Sequence, residues 1–479
     1  MALTKNIPFW ILTVAVFIAL IVPLLVQDGM FMDGLIYACV SKNLAHGNGT
    51  WWFPMFNFHG IRDTQTYHEH PPLVFWIQSG FFSLLGDSIF TERIYSLITA
   101  CITAWLMIII WKLIHEEDSE IKKMGWLPVF FWIIIPVCAW SYQNNMQENT
   151  MGIFTLASVY YSLKAIYSNR YTWPHIFMAG AFICLASMSK GVPGLFPMAT
   201  IFCVWVATRK ISFSKMIVFT FVLVLVPVVI YALLILNHSA HENLRIYLIQ
   251  RVLHRIENEP TTGSRLDTIG RLFSELIPVF IVLLIVFSVF KIKKMKAGEN
   301  FLHRQNILLF FMLGLCGTIP LMFTLVQKGY FLVPALPFYA IGCALIAAPL
   351  LNKLFNTLSP LSKNYKIFLA SSLALLTGAV IVSFTLIGKT KRDPEKLHDI
   401  YLMGEIIPKN SLIGVDKTLA EDWQFQGYFV RHYNISIDFT KNKKDFFIVD
   451  KESHAVAPDG YAQVPVSTVR YTLYRLEEK

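Results

Sequence analysis

The residues best suited to chemistry crowd into one polar stretch between two apolar runs. The segment from Asp28 to Trp76 holds Asp33, Tyr37, His68, Glu69 and His70 among tryptophans, glycines and the pair Pro71-Pro72. Loops of this length without regular structure are uncommon in compact domains and are usually functional. Asp33 could act as a general base on a hydroxyl, or could cap the helix suggested by the following LIYACVSKNLA. His68, Glu69 and His70 have side chains that bind divalent metals. In an extended stretch, however, alternation sends His68 and His70 to one side and Glu69 to the other. A second acid, Glu148, lies in QNNMQENTMGIF, at the start of another apolar run. Cations that could meet a phosphate are Lys190, Arg251, Arg255 and Lys328, with Arg245 and His254 nearby. Lys190 and Lys328 also suit interfacial anchors of span ends, and Arg251 and Arg255, one helical turn apart, also suit a solvated face.

The elements that must position these residues are membrane spans. Of 479 residues, 55% are hydrophobic and 15% charged, above the apolar share of a soluble domain, and the mean hydropathy is +0.52. A crossing takes about 20 apolar residues. Eleven runs meet or approach that length: 8–26, 94–111, 126–140, 149–167, 174–189, 192–208, 216–236, 276–290, 307–326, 330–351 and 367–388. The run 71–86 is short, opens with two prolines and carries Gln78, which suits an interfacial or re-entrant helix. With eleven crossings and a cytoplasmic N-terminus, the inner segments hold 17 Lys and Arg and the outer loops between spans, apart from the tail, hold 10. Letting 71–86 cross would invert every later loop and export Lys291, Lys293, Lys294 and Lys296, against the positive-inside rule.

The expected fold is therefore a polytopic α-helical membrane protein of about eleven transmembrane helices, with interfacial helices in the first outer loop and a small C-terminal α/β domain. The expected division is 1–388 for the membrane domain, including large outer loops 27–93 and 237–275, and 389–479 for an extracytoplasmic domain. The tail mixes helix-like stretches such as 394–405 and 420–432 with β-rich stretches such as 445–449 and 469–474. The net charge of +10 lies in membrane flanks rather than on one face, which speaks against nucleic acid as a partner. None of the seven cysteines forms a CxxC pair, so neither a zinc site nor a disulfide framework is indicated.

Within the first outer loop, Asp33-Gly34-Leu35-Ile36-Tyr37-Ala38, then Gly47, Trp51 and Pro54, then Tyr67-His68-Glu69-His70-Pro71-Pro72-Leu73 with Trp76, resembles the GT-C glycosyltransferases. The nearer likeness is to lipid A aminoarabinose transferases and the more distant to protein O-mannosyltransferases. Their pattern there reads Asp-Glu-x-x-Tyr-Ala and then Glu-Lys-Pro-Pro-Leu. This chain departs from it with Gly34 for the glutamate and His70 for the lysine. Further resemblances follow in order: Glu92-Arg93-Ile94-Tyr95-Ser96, Ser189-Lys190-Gly191, Gln250-Arg251-Val252, and Lys328-Gly329-Tyr330 with Pro334 and Pro337.

The resemblance implies a hexosyl- or pentosyltransferase that takes its sugar from a polyprenyl-phosphate donor. The acceptor would be a lipid, glycan or protein at the outer face of a bacterial inner membrane. It implies Asp33 and Glu148 as catalytic carboxylates, and His70, Lys190, Arg251, Arg255 and Lys328 as contacts of the donor phosphate. Tyr37, Glu69 and Tyr330 would line the substrate, and a divalent metal at His68, Glu69 and His70 is a possible cofactor. The chemistry is coherent. The carrier phosphate is already a good leaving group, so transfer needs a base for the acceptor and positive charge for the phosphate, but no strong acid. A transporter or flippase of lipid-linked saccharides, or a polymerase or ligase using diphosphate carriers, would share the solvent logic. A transporter should show ionisable or broken positions at mid-membrane.

Overall fold

The computed structural model describes residues 2–57, 66–168, 170–253, 261–293, 301–356, 359–438, 443–453 and 455–477. Its helices follow the apolar runs: α1 (Ala2–Leu25), α2 (Met32–Ala45), α3 (Leu73–Leu85), α4 (Thr91–Ile114), α5 (Trp126–Ile133), α6 (Pro136–Gln143), α7 (Gln147–Tyr167), α8 (Thr172–Lys190), α9 (Thr200–Thr208), α10 (Phe213–Leu234), α11 (His238–Ile246), α12 (Asp267–Ile292), α13 (Phe301–Thr318), α14 (Leu336–Asn356) and α15 (Lys363–Thr385). The tail adds α16 (Pro394–Ile406) and α17 (Trp423–Tyr433), with five strands: β1 (Leu412–Val415), β2 (Ser436–Asp438), β3 (Phe446–Asp450), β4 (Tyr461–Gln463) and β5 (Tyr471–Leu476).

Among the described residues eight helices are long and apolar enough to cross a membrane, or nine if the bent pair α5 and α6 is one span. The chain is a multi-pass membrane protein. The difference from eleven has local causes. The run 149–167 forms α7, which is long enough, but Glu148, Asn149, Thr150, Thr155, Ser158 and Ser162 are buried along it and lower its hydropathy. The run 192–208 is divided into a 3-10 stretch, Val192–Ala199, and α9, with prolines at 193 and 197. The short run 71–86 becomes the 13-residue α3, about 20 Å long against a hydrocarbon core of about 30 Å.

The chain divides into two compact units. The first comprises Met1–Pro23, Ser96–Gln143 and Gln147–Thr385 and holds the bulk of the apolar helices. Within it α7 and α8 pack along their length, burying small residues such as Ala157, Ala165, Ala179 and Ala186 that let two backbones approach.

The second unit comprises Leu24–Tyr95, Asn144–Met146 and Leu386–Lys479, so the first polar loop folds together with the tail. Its sheet runs in the order β2-β1-β3-β5-β4. Strand β1 is parallel to both β2 and β3, and β5 is antiparallel to β3 and β4. Ile413, Ile437, Ile448 and Leu473 from the strands share one core with Leu397 and Met403 of α16, Phe425 and Phe429 of α17, and Met30 and Leu35 from the first loop. Helix α2 is buried from Gly34 to Asn43, because its other side meets Phe56, Phe75 and Val430 through Ile36, Tyr37, Cys39 and Val40.

Candidate active site

In the second unit, α2 presents Asp33 in its first turn. The helix starts at Met32, after Phe31 in extended conformation, so Asp33 is not the capping residue. The entry to the helix is held by two neighbouring amides: Asn144 Oδ1 accepts from the backbone N–H of Phe31 at 3.1 Å, while Asn145 Nδ2 donates to the carbonyl of Gly34 at 3.0 Å. The glycine at position 34 has a steric reason. A Cβ there would lie 1.8 Å from the carbonyl oxygen of Asn144, so no side chain fits where the related pattern has glutamate. One turn on, Tyr37 Oη and His70 Nε2 share a hydrogen bond of 3.2 Å. His68 pairs with the Thr66 hydroxyl and lies edge-on to Phe53. Among the described residues no group of three or more His, Cys, Asp or Glu is placed to hold a metal ion, and His68, Glu69 and His70 form no such group.

In the first unit, Glu148 in the opening turn of α7 meets Lys190, the last residue of α8, with Nζ 3.3 Å from Oε1. Their side chains are 1% and 6% exposed. An interfacial anchor would keep its ammonium in water, so the anchor reading of Lys190 does not hold. Removing either member of such a buried pair strands a charge and costs about 3–5 kcal/mol. Gly191 follows with φ +89°, and a Cβ on it would overlap Tyr247 Oη at 1.6 Å. Tyr247 opens the π-helical turn Tyr247–Leu253, on whose backbone Gln250 and Arg251 stand. The Ser-Lys-Gly segment thus meets the residue that opens the turn carrying Gln-Arg. The Arg251 side chain and the whole of Arg255 lie outside the described residues.

Lys328 lines a cavity of about 250 Å³ together with Arg271, Thr262, Thr268 and Leu332. Gly329 makes room for it, since a Cβ there would sit 2.7 Å from Arg271 Nε. Gln327 ties the cavity wall together. Its Oε1 accepts from Thr268 N and Oγ1 at 3.0 and 2.6 Å, and its Nε2 donates to the carbonyls of Arg265 and Thr324. Tyr330 stacks on Trp140 at 5.8 Å with planes 18° apart.

A family model described as dolichyl-phosphate-mannose-protein mannosyltransferase matches residues 69–235. In structure the chain is similar to ArnT from Cupriavidus metallidurans bound to undecaprenyl phosphate, with a TM-score of 0.64 at 12% identity over 97% of each chain. The apo state of that ArnT gives 0.60 at 12% identity, over 96% of this chain and 95% of that one. The chain has the GT-C fold. The apo oligosaccharyltransferase from Archaeoglobus fulgidus gives 0.51 at 13% identity, with 90% of this chain covering 64% of that longer one. A search of curated proteins finds no match in sequence.

Set on the GT-C fold, the residues singled out from sequence fall into separate groupings: Tyr37 with His70, Glu148 with Lys190, Lys328 with Arg271, and Tyr330 with Trp140. Arg271 escapes a reading by motifs. Its only signal is an arginine between Asp267 and Glu275, at one-turn intervals just ahead of the apolar run 276–290.

Proposed function

We propose that the chain transfers a glycosyl group from a polyprenyl-phosphate carrier to a hydroxyl of a lipid, glycan or protein at the outer face of a bacterial inner membrane. The observation that carries the proposal is the buried Glu148–Lys190 pair, where the first turn of α7 meets the last turn of α8. Charges buried this deeply are costly and are kept for function by default. The fold shared with an undecaprenyl-phosphate-bound ArnT and the mannosyltransferase family match support the same chemistry.

In this reading the acceptor oxygen bonds to the anomeric carbon, its proton passes to the Asp33 carboxylate, and the bond from that carbon to the phosphate oxygen breaks. The carrier leaves as a phosphate monoester with one more negative charge, which cations must stabilise. Lys190, paired with Glu148 through one of its three donors, shares that role with Lys328, Arg271 and Arg251, and Glu148 orients the reacting groups. Tyr37, Glu69, His70 and Tyr330 are assigned to substrate contacts.

The competing reading is a transporter of lipid-linked saccharides, favoured by the break between α5 and α6 and by Glu275 inside α12. Purified protein incubated with polyprenyl-phosphate hexoses and pentoses, with products identified by mass spectrometry, separates the two. Glycosylated acceptor and free carrier phosphate are expected. Movement of the intact lipid-linked sugar across vesicles with no product from any donor would establish the transporter.

A further inference from the structure

A span that breaks in mid-course frees backbone groups in a medium that cannot hydrogen-bond them. Helices α5 and α6 are bent by 80° at such a break. One freed donor finds a carboxylate: the backbone N–H of Val137 donates to Glu275 Oε2 at 2.8 Å. Glu275 lies within α12, about 12 Å along its axis from Asp267. At the head of the apolar run 276–290 this acid meets the positive end of the α6 dipole.

What α6 does next gives the contact its reach. Ser141 Oγ donates to Asn149 Oδ1 at 2.6 Å, and Asn149 Nδ2 donates back to the carbonyl of Ser141 at 3.1 Å. Both residues are buried. Trp140, on the same short helix, stacks on Tyr330. Asn149 adjoins Glu148, which faces Lys190. An unbroken series of contacts therefore leads from Glu275 through α6 to the first turn of α7.

We propose that Glu275 is a positioning residue: its carboxylate holds the amino end of α6, and α6 in turn sets the first turn of α7 and the place of Glu148 against Lys190. The proposal rests on Glu148 belonging to the transfer site. Glu275→Leu removes the acceptor, whereas Glu275→Gln keeps a carbonyl in its place.

The test uses the full chain in nanodiscs and reads amide hydrogen exchange over residues 137–141 beside transfer kinetics. For Glu275→Leu, exchange there rises about tenfold or more. Its kcat falls about tenfold while KM stays within about twofold. Glu275→Gln restores both to within about threefold of wild type. A leucine variant that exchanges and turns over like wild type overturns the proposal, as does a glutamine variant that fails as fully as leucine. Should Glu275→Leu not fold, Asn149→Ala removes both bonds to Ser141 and cuts the same series one step nearer Glu148, and an unchanged kcat there overturns it. A wild-type chain that transfers no sugar defeats the proposed function alone, and exchange at 137–141 then decides the role of Glu275.

Discussion

Asp33 carries the sharpest test of the chemistry. Asp33→Asn keeps the size of the side chain in the first turn of α2 and removes the base. Expression and thermal stability should stay near wild type while sugar transfer falls by a factor on the order of 10²–10⁴. Near-normal transfer by a folded Asp33→Asn protein would remove the base assignment. His432 makes a second prediction at this scale. Its ring packs against Tyr401 and Tyr428, at 5.1 and 6.1 Å between centroids. Burial, then the charge of Arg431, push its pKa from 6.5 down to about 3, although Asp28 pulls the other way. The folded chain thus refuses a proton that the unfolded chain takes up between pH 6.5 and 3. Stability should fall on acidification through that window, with this group contributing a slope of about 1.4 kcal/mol per pH unit. Melting followed from pH 7 to 4 should show a shallower acid limb for His432→Phe. Identical limbs would mean that His432 is protonated in the fold.

Helix α17 ends in a clasp on elements from the first polar loop. Arg431 donates through Nε and Nη2 to the two carboxylate oxygens of Glu92, at 3.2 and 2.8 Å, and through Nη1 and Nη2 to the carbonyls of Asp87 and Ser88. Its side chain is 1% exposed and that of Glu92 is 4%. Lys42 of α2 reaches the end of α17, where Nζ donates to the carbonyls of Val430 and Arg431 and to Asn434 Oδ1. Burial, followed by the nearness of Arg431, lowers the pKa of Lys42 to about 8. Two cations side by side in a dry interior hold only because a carboxylate, four backbone carbonyls and the Asn434 amide oxygen answer them. Arg431→Leu should therefore destabilise the fold by about 3–5 kcal/mol, and Arg431→Leu with Glu92→Leu should recover part of that loss. The measurement is denaturant unfolding of both variants. A double variant no better than the single one would show that the carbonyl contacts, not the ion pair, carry the energy. Glu92-Arg93 stands out in the sequence only by resemblance, since its partner lies 339 residues away.

At the scale of the whole molecule, the open question is which face carries the tail. The excess of basic residues in the inner segments predicts that everything after residue 388 lies outside. Lys409 is exposed, just beyond α16, and Lys409→Cys should react with an impermeant thiol reagent in intact spheroplasts. Labelling that requires lysis would invert the topology and place the tail in the cytoplasm.

Hydropathy alone determined that the chain is a multi-pass membrane protein, because the cost of exposing or burying twenty apolar residues depends on little besides their composition. Alternation and helix periodicity likewise marked the tail as α/β, and the order of short motifs pointed to the GT-C fold. Three things were decided only by tertiary structure. The first polar loop shares a core with the tail through Met30 and Leu35, Lys190 pairs with Glu148, and Arg271 and Glu275 stand in α12 ahead of its apolar run, where they meet Lys328's cavity and the amino end of α6. Each depends on which distant groups meet in a medium of low polarity. There a charge must be answered by a partner, and neither the partner's identity nor its distance is encoded in local sequence.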